Sequence, residues 1–280
     1  MPAAEQARIP RLKTREFRYL QHYFYQLTGI YLPDSKRELV EGRLARRMRF
    51  YRLHQYTDYI EILQQHPQGV EVQELINRLT TNETYFFREP AHFDWLKNYL
   101  QTYQKTQQAR SKLRIWSAAC STGEEAYSLA MLCSEHLRPE LWQITATDIS
   151  EDALQQAKSA VYEQARIRKL PAYYMHKYCL KGVRSQAGNL RVAPEIRRQV
   201  DIQYLNLMSS YPVHWGNFQI IFLRNVMIYF DLESKRQVIE KLIRHLAPQG
   251  YLILGHSESL QGIVHPLKAV RPSIYQKCVA

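Results

Sequence analysis

The sequence predicts an α/β protein in which an all-helical N-terminal domain precedes a mostly parallel, doubly wound sheet. Apolar residues recur at helical spacing up to residue 80, with no strand-type alternation. From about residue 110, short apolar runs alternate with helical segments, as in βαβ units whose parallel sheet is covered on both faces. Short β-like pieces around Gly182 and Gly188 interrupt this rhythm and predict a small antiparallel insertion.

The first 80 residues contain four predicted helices, in EFRYLQHYFYQLTGI, SKRELVEGRLARRMRFYRL, YTDYIEILQ and VEVQELINRL. The second segment is strongly basic, with seven lysine and arginine residues between positions 36 and 52. A helical wheel places its apolar residues on one stripe: Val40, Leu44, Met48 and Tyr51. Its cations are expected beside this stripe, facing outward: Lys36, Arg43, Arg46 and Arg47.

Residues 81–109 are predicted to link the two domains. The stretch TTNETYFFREP, residues 80–90, is too polar for plain core and too aromatic for a plain loop. We expect Phe86 and Phe87 to anchor it by burial, which is worth about 1.5–3 kcal/mol for each side chain. Arg88 would then be held in place beside them.

Residues 110–280 form the predicted α/β domain. Its strands lie in LRIWSAAC, WQITATD, FQIIFLRN and GYLILG, and its helices in GEEAYSLAMLCSEHL, SEDALQQAKSAVY and LESKRQVIEKLIRHLAP. Short, nearly continuous apolar runs are typical of buried parallel strands. Ser150 is the expected N-cap of the second helix. The antiparallel insertion is expected at about residues 176–204.

Composition indicates the class of partner and the compartment. The formal net charge is +12, from 38 basic and 26 acidic residues, which favours an acidic partner such as nucleic acid, an anionic membrane surface or an acidic protein. The four cysteines are far apart and show no metal-type spacing, so we expect a reducing cytoplasm and no metal site. No apolar run approaches the roughly 20 residues of a membrane span.

The loops after the predicted strands are where a doubly wound sheet binds its ligand. The first of them, SAACSTGEEAYS, lacks the Gly-x-Gly-x-x-Gly pattern of a pyrophosphate cradle, and Glu124 and Glu125 would repel phosphate. These glutamates equally suit a helix N-terminus. Asp148 ends the second strand, where it could accept hydrogen bonds from both ribose hydroxyls or cap the next helix.

A third loop, RNVMIYFD, places Arg224, Asn225 and Tyr229 where the reacting end of a ligand would lie. A ribose-binding acid without a phosphate cradle suggests an adenosine ligand that lacks phosphate. S-adenosylmethionine is such a ligand, and its sulfonium is positively charged. The residues alone therefore favour a methyltransferase.

Five blocks strengthen this interpretation: TTNETYFFRE, WSAACSTGEEAYSLAM, TATDIS, LRNVMIYFD and GYLILGHSESL. In this order they closely resemble the CheR family of chemotaxis receptor methyltransferases, and the resemblance extends over nearly the whole chain. It implies a Rossmann-like domain dependent on S-adenosylmethionine, with a small β-subdomain. It also implies methylation of glutamate side chains on chemoreceptors (methyl-accepting chemotaxis proteins), giving glutamyl methyl esters for sensory adaptation and S-adenosylhomocysteine as the other product.

The resemblance also implies roles for individual residues. The positions that match the family's cofactor contacts are Asn82, Thr84, Arg88, Glu125, Asp148, Asn206, Leu207, Arg224 and Asn225, with Glu124 as the alternative to Glu125. Arg88 and Tyr229 are the expected catalytic residues: Arg88 holds the cofactor end of the site, and Tyr229 orients the acceptor. The basic helix, through Arg43, Arg46 and Arg47, is expected to dock the acidic methylation helices of the receptor.

Further expectations concern partners. In some family members the β-subdomain binds a C-terminal receptor peptide by adding a strand, although Arg184 stands where those members tend to have glycine. We expect a cytoplasmic monomer that is peripheral to the membrane through its receptors. The competing interpretations are a nucleic-acid methyltransferase, which the net charge favours but the STGEE block does not, and a non-catalytic adaptor. The intact set of site residues argues against the adaptor.

Overall fold

The computed structural model describes residues 10–105, 112–164, 166–167 and 169–278. They divide into two compact units. The first comprises the chain up to Thr81 together with Tyr229–Asp231, and the second comprises Asn82–Ile228 together with the chain from Leu232 onward. Among the described residues, no helix combines the length and apolarity that crossing a bilayer requires.

The first unit is helical, as the sequence predicts. Its helices are α1 (Thr14–Thr28), α2 (Arg37–Phe50), α3 (Tyr56–Gln65) and α4 (Val70–Leu79). Their apolar faces form its core: Phe17, Leu20, Phe24, Val40, Leu44, Met48, Leu63 and Leu75. The distant segment Tyr229–Asp231 joins this unit through hydrogen bonds, from Tyr31 N to Tyr229 O at 2.9 Å and from Tyr25 OH to Asp231 Oδ2 at 2.7 Å.

The basic residues of α2 differ in orientation from the sequence-based expectation. Arg47 Nε donates to the buried Glu71 carboxylate at 2.9 Å, and this pairing raises the pKa of Arg47. Arg43 Nη1 donates to Leu79 O at 2.8 Å, at the last turn of α4, and to Thr80 O at 3.0 Å. Of the three, only Arg46 is exposed. The expected outward orientation is thus wrong for Arg43 and Arg47, because carbonyls and a carboxylate of the same unit bind them.

The second unit alternates helices and strands. Its helices are α5 (Pro90–Lys105), α6 (Glu124–His136), α7 (Glu151–Ser159), α8 (Ala172–Tyr178), α9 (Pro194–Arg197) and α10 (Leu232–Arg244). Its strands are β1 (Leu113–Ser117), β2 (Trp142–Asp148), β3 (Val161–Glu163), β4 (Cys179–Lys181), β5 (Asn189–Val192), β6 (Val200–Tyr204), β7 (Phe218–Leu223), β8 (Leu246–Leu254), β9 (Leu267–Arg271) and β10 (Ile274–Lys277).

Within the described residues, seven of these strands form one sheet in the order β6-β2-β1-β7-β8-β10-β9. The first five are parallel, and β10 and β9 extend the sheet with an antiparallel hairpin. The predicted mostly parallel α/β fold is confirmed. Because parallel strands end at one edge, the loops after β1, β2, β6 and β7 lie together, and these loops carry most of the predicted site residues.

The region expected to be a linker, residues 81–109, is mostly the helix α5. Its buried face joins the core of the second unit through Phe93, Trp95, Leu96, Leu100 and Tyr103. Just before the helix, the Phe86 ring lies edge-on against Tyr162, with ring centroids 5.0 Å apart. The segment is therefore an integral layer of the second unit. The last positions of the expected linker, 106–109, lie outside the described residues.

The bounds of the antiparallel insertion also differ from the expected 176–204. The small sheet has the order β3-β5-β4, so it begins with Val161–Glu163 and ends with Asn189–Val192. The first of these strands directly follows α7, and the sequence pattern does not separate it from that helix. Val200–Tyr204 instead pairs in parallel with β2, placing Ile144 opposite Val200. Residues 200–204 therefore belong to the main sheet.

Candidate active site

Asp148, at the tip of β2, is held by the backbone of two loops. Its Oδ2 accepts from Ser121 N at 2.8 Å and its Oδ1 from Ser150 N at 2.9 Å. Burial raises the pKa of this carboxyl, and the backbone hydrogen bonds oppose that rise. The expected N-cap is confirmed as Ser150, whose Oγ accepts from Ala153 N at 3.3 Å. Asp148 is therefore not the helix cap, and it keeps lone pairs for a ligand, since a carboxylate offers about four acceptor positions.

The loop after β1 leaves a hydroxyl unused next to Asp148. Ser121 Oγ is buried and has no hydrogen-bond partner among the described residues. Two residues later, Gly123 adopts a φ of 95°, and a Cβ there would lie 2.9 Å from Ala157 Cβ and 3.0 Å from Tyr162 OH. Only glycine fits this turn without displacement. The unpartnered hydroxyl indicates that the loop is shaped for a polar group that the chain itself does not supply.

Glu124 and Glu125 both lie in the first turn of α6, yet they have different partners. Glu124 is fully buried and accepts from Thr122 Oγ1 at 2.6 Å, and burial raises its pKa. Glu125 accepts from Ser117 Oγ at 2.7 Å and from Arg224 Nη1 at 2.9 Å. Glu125 thus joins the tip of β1 to the loop after β7, which makes it the better connected of the two to the other predicted site residues.

Arg224 is the centre of this cluster, with its side chain 2% exposed. Besides the bond to Glu125, its Nη2 donates to Glu89 Oε2 at 2.9 Å and to the backbone carbonyl of Arg88. Its Nε is buried and unpartnered within the described part of the chain. Because Arg224 is paired with two carboxylates, it acts as a rigid connection between the loop after β7, α6 and the segment before α5.

Glu89 is a site residue that the sequence motifs did not assign. Its carboxylate accepts from Arg224, from Asn225 Nδ2 at 3.0 Å and from His256 N at 3.2 Å. Burial would raise the pKa of Glu89, but the hydrogen bonds from Asn225 and Arg224 leave it below its ordinary value. Its place beside Arg88 in TTNETYFFRE was the available signal.

Glu258 is a second unassigned site residue, although it lies in the block GYLILGHSESL. Its buried carboxylate accepts from the backbone N–H of Gly255 at 2.7 Å, of Asn225 at 2.8 Å and of Ile228 at 3.3 Å. Burial raises its pKa. At Gly255, a Cβ would lie 2.7 Å from Glu258 Oε2 and 2.8 Å from Asn225 Nδ2, so a larger residue would displace these two side chains. Glu258 therefore fixes the backbone that presents Asn225.

The remaining predicted residues of the second unit lie at its loops. Asn82 Nδ2 donates to Ser150 Oγ at 3.4 Å, which brings it near the Asp148 loop. Arg88 is half-buried, and its Nη1 donates to Glu83 O at 2.8 Å. In the described part of the chain its guanidinium has no carboxylate partner. Thr84 is half-buried.

The turn after β6 carries two further predicted residues. Asn206 Oδ1 accepts from Met208 N at 2.8 Å, and this hydrogen bond orders the turn. Leu207, beside it in the chain, is buried.

Tyr229 belongs to the first unit, in the segment that pairs with Tyr31. Arg43, Arg46 and Arg47 also lie in that unit. The second unit by itself brings together Asn82, Glu125, Asp148, Arg224 and Asn225.

Two family models match the chain. The CheR methyltransferase all-alpha domain matches residues 15–80, and the CheR methyltransferase SAM binding domain matches residues 82–275. The chain belongs to the CheR methyltransferase family. Its two matched regions follow the two units of the structure closely. The resemblance found in the sequence is confirmed, and so is the expected dependence of this CheR methyltransferase on S-adenosylmethionine.

The chain is similar in sequence to curated relatives over most of their length. The chain is 37% identical over 250 residues to the chemotaxis protein methyltransferase of Escherichia coli (strain K12), covering 89% of this chain and 85% of the relative. It is 38% identical over 266 residues to chemotaxis protein methyltransferase 2 of Pseudomonas aeruginosa, covering 94% and 93%. For the chemotaxis protein methyltransferase of Salmonella typhimurium, identity is 34% over 266 residues, covering 94% and 90%.

The residues present suit the cofactor that this family uses. Asp148 retains acceptor positions for ribose hydroxyls, and the buried Ser121 Oγ beside it lacks a partner among the residues that the structure describes. The first loop has no phosphate cradle, and the helix α6 that follows it begins with Glu124 and Glu125, which suits a cationic nucleoside better than a phosphate. The site of this CheR methyltransferase thus fits S-adenosylmethionine on the chemistry of its donors and acceptors.

Proposed function

We propose that this CheR methyltransferase transfers the methyl group of S-adenosylmethionine to glutamate side chains of chemoreceptors, giving glutamyl methyl esters. The observation that carries the proposal is the cluster formed by Glu125, Arg224, Asn225 and Glu89, which lies with Asp148 within the matched SAM binding domain. The names of the relatives, all chemotaxis protein methyltransferases, support chemoreceptors as the substrate class.

Asp148, Asn82, Thr84, Asn206 and Leu207 would hold the nucleoside. S-adenosylmethionine, when bound, supplies an activated methyl group on a positive sulfonium. Glu125 and Glu89 both pair with Arg224, so two carboxylates against one guanidinium leave the cluster with one net negative charge, which favours a positive sulfonium nearby. The main task of Arg224 and Asn225 is then to keep the loop after β7 in one conformation.

The acceptor needs no general base. A glutamate carboxylate in water has a pKa of about 4.3 and is therefore ionised at neutral pH. Positioning is the main contribution of the protein, because reacting atoms must approach to about 3–3.5 Å in line. An arginine bound to both acceptor oxygens would disperse their charge and weaken the nucleophile. We assign Arg88 to the cofactor end of the site and Tyr229 to a single hydrogen bond that orients the acceptor.

Receptor binding is assigned to the exposed part of the basic helix α2. Arg46 faces solvent and is free to meet an acidic helix, whereas Arg43 and Arg47 support the fold of the first unit. The small sheet β3-β5-β4 offers a second contact, because Leu180 and Val183 are largely exposed there. Arg184 adopts a φ of 52°, a conformation that favours glycine, and a receptor-tail peptide would have to bind beside it. A cytoplasmic monomer fits this role.

The proposal is tested by following the label from methyl-labelled S-adenosylmethionine. The purified chain is incubated with receptor-containing membranes, with RNA and with DNA. We expect label on the receptor, released by mild alkali as a methyl ester should be. A receptor whose methylation-helix glutamates are replaced by alanine is the matched control and should stay unlabelled. Label on nucleic acid, or alkali-stable label on the receptor, would contradict the proposal in favour of another methyl acceptor.

A further inference from the structure

Two histidines of the second unit lie against the carboxylate of Glu89. His92 Nδ1 is 3.4 Å from Glu89 Oε2, and His256 Nε2 is 3.8 Å from the same oxygen. The two imidazole rings are 4.7 Å apart between centroids. One metal-ligating atom of each residue lies within 4.8 Å of those of the other two. The first turn of α5, the residue before it and the turn after β8 thus bring two nitrogen ligands and one oxygen ligand close together.

Ser273 determines which nitrogen of His92 carries the proton. Its hydroxyl donates to Pro272 O at 2.7 Å, so its oxygen accepts from His92 Nε2–H at 2.8 Å. In a neutral ring this leaves a lone pair on Nδ1. That atom is buried and has no hydrogen-bond partner among the described residues. Buried polar atoms without a partner are rare, and this one faces a carboxylate oxygen, so a cation between the two would stabilise both.

We propose that Glu89, His92 and His256 form a binding site for a divalent transition metal ion, with Zn²⁺ as the best match. Two imidazoles and a carboxylate are a ligand set that zinc uses, with metal–ligand distances of about 2.0–2.2 Å. In a tetrahedral site such bonds place neighbouring ligand atoms about 3.3–3.5 Å apart. The separation of His92 Nδ1 and Glu89 Oε2 already has this value. The His256 side chain is 52% exposed and can rotate to close the remaining gap.

The surroundings of the site affect its affinity in two ways. The hydrogen bond from His92 to Ser273 orients the imidazole, as outer partners of metal-ligating histidines commonly do. The guanidinium of Arg224 shares Glu89 Oε2 with the proposed ion, and its positive charge weakens cation binding. We therefore expect micromolar rather than nanomolar binding. The sequence predicted no metal site for two reasons. His256 and Glu89 are 167 positions apart, and the residues do not form a short Cys/His spacing of the kind found in metal-binding motifs.

Titration of the full chain with Zn²⁺ alone, against a chromophoric chelator, tests the proposal. Exposed Cys278 is replaced by serine in every protein, so that its thiolate cannot compete for the ion. We expect one bound ion, and binding weakened more than about tenfold by His256→Ala. Ser273→Ala, which removes only the partner of His92, should weaken binding by about 10–100-fold. His214→Ala, which alters an exposed histidine elsewhere in the same unit, is the matched control.

The outcome is decisive because His256 is exposed and its loss leaves the fold intact, which circular dichroism verifies. If His256→Ala binds Zn²⁺ as tightly as the parent protein, or if His214→Ala weakens binding equally, the proposal is wrong. His92→Ala adds a second measurement where that buried substitution still folds. Retention of full affinity in that variant would likewise overturn the assignment. None of these readouts depends on methyl transfer.

Discussion

Asn225 shows how single side chains order the site. Its backbone is left-handed, with a φ of 57°, a conformation that costs on the order of 1 kcal/mol in a non-glycine residue. Glu258 accepts from its backbone N–H and Glu89 from its side-chain amide. These two carboxylates offset the backbone cost and select one loop conformation. The amide of Asn225 is therefore positioned before any ligand binds.

Glu258→Gln tests this role directly. The amide replaces one acceptor oxygen by an NH₂ donor that faces backbone N–H groups, so at least one buried donor loses its partner. We expect a loss of about 1–3 kcal/mol in the free energy of unfolding and weaker binding of S-adenosylhomocysteine. Urea denaturation and calorimetry measure the two effects. Glu195→Gln, at a glutamate outside the site, is the control and should change neither. Unaltered stability in Glu258→Gln would refute the role.

Substitutions of Arg88 and Tyr229 should affect different kinetic quantities, namely cofactor affinity and kcat. Arg88→Ala is expected to weaken the affinity for S-adenosylmethionine strongly, because Arg88 is assigned to the cofactor end. Tyr229→Phe removes one hydrogen bond to a charged acceptor and should lower kcat by roughly 10–100-fold with cofactor affinity nearly intact. Calorimetry and initial rates on receptor membranes give both quantities. Arg138→Ala, at an exposed arginine of the same unit as Arg88, serves as the control. The reverse pattern would contradict the assignment.

The location of a site residue was predictable from the sequence where that residue directly follows or ends a predicted strand. Asp148 ends β2, and Glu125 begins α6, so the expected spacing places both at the sheet edge. Glu89 and Glu258 were not predictable in this way, because most of their partners are backbone groups and side chains far along the chain. Glu89 bonds to Asn225 across 136 positions. Such contacts depend on tertiary packing, which helical or strand periodicity does not report.

At the scale of elements, α2 combines a structural and a binding surface. Arg47 and Glu71 form a largely buried pair, with side chains 14% and 4% exposed, and Tyr59 OH adds a bond to Glu71 at 2.7 Å. Arg47→Ala leaves the carboxylate buried without its cation. Removing one partner of a buried pair costs about 3–5 kcal/mol, which urea denaturation would detect. Arg49→Ala, at an exposed arginine of the same helix, should be nearly neutral. Equal stability of the two variants would show that the pair is not structural.

Arg46 on the same helix should behave in the opposite way. Because it is exposed, Arg46→Glu is expected to leave the free energy of unfolding and cofactor affinity unchanged while it raises KM for receptor membranes. Methylation kinetics at varied receptor concentration provide the measurement. Arg138→Glu, a matched charge reversal at an exposed site of the other unit, controls for the change in net charge. If both reversals raise KM equally, α2 is not the docking surface.

Helices and strands with a clear hydrophobic pattern were predicted well. Elements whose length or burial depends on tertiary packing were not. The apolar runs of β1, β2 and β7 are recognisable as buried parallel strands. α6 was predicted as a helix, but the sequence pattern does not show that it is buried from Glu124 to Cys133, because packing covers more than one of its faces. β3 has only three residues after a helix, which is too short for an alternating pattern. The hairpin of β9 and β10 was not predicted, since most residues of β9 are exposed and polar or small.

At the scale of the whole molecule, the order of sequence patterns along the chain predicts the two units. It does not predict that Tyr229–Asp231 belongs to the first unit. The family boundary near residue 81 follows the change from helical to alternating patterns. The return of Tyr229–Asp231 to the first unit could not be predicted, because Tyr25 and Asp231 are 206 positions apart. Tyr229, the residue assigned to the acceptor, is thereby placed among residues of the helical unit.

The net charge of +12 leads to a prediction for the whole enzyme. Attraction between a basic protein and an acidic receptor helix is screened by salt, since the Debye length falls from about 10 Å at 0.1 M to about 3 Å at 1 M ionic strength. We expect KM for receptor membranes to rise with ionic strength while kcat and cofactor affinity stay nearly constant. Salt should have little effect on the cofactor contacts, because the pairing of Arg224 with Glu125 is buried and therefore weakly screened. Arg46→Glu should show a flatter salt dependence than the parent chain. A fall in cofactor affinity parallel to the rise in KM would instead mean that salt acts on the fold of the site, and charge-guided docking would have to be abandoned.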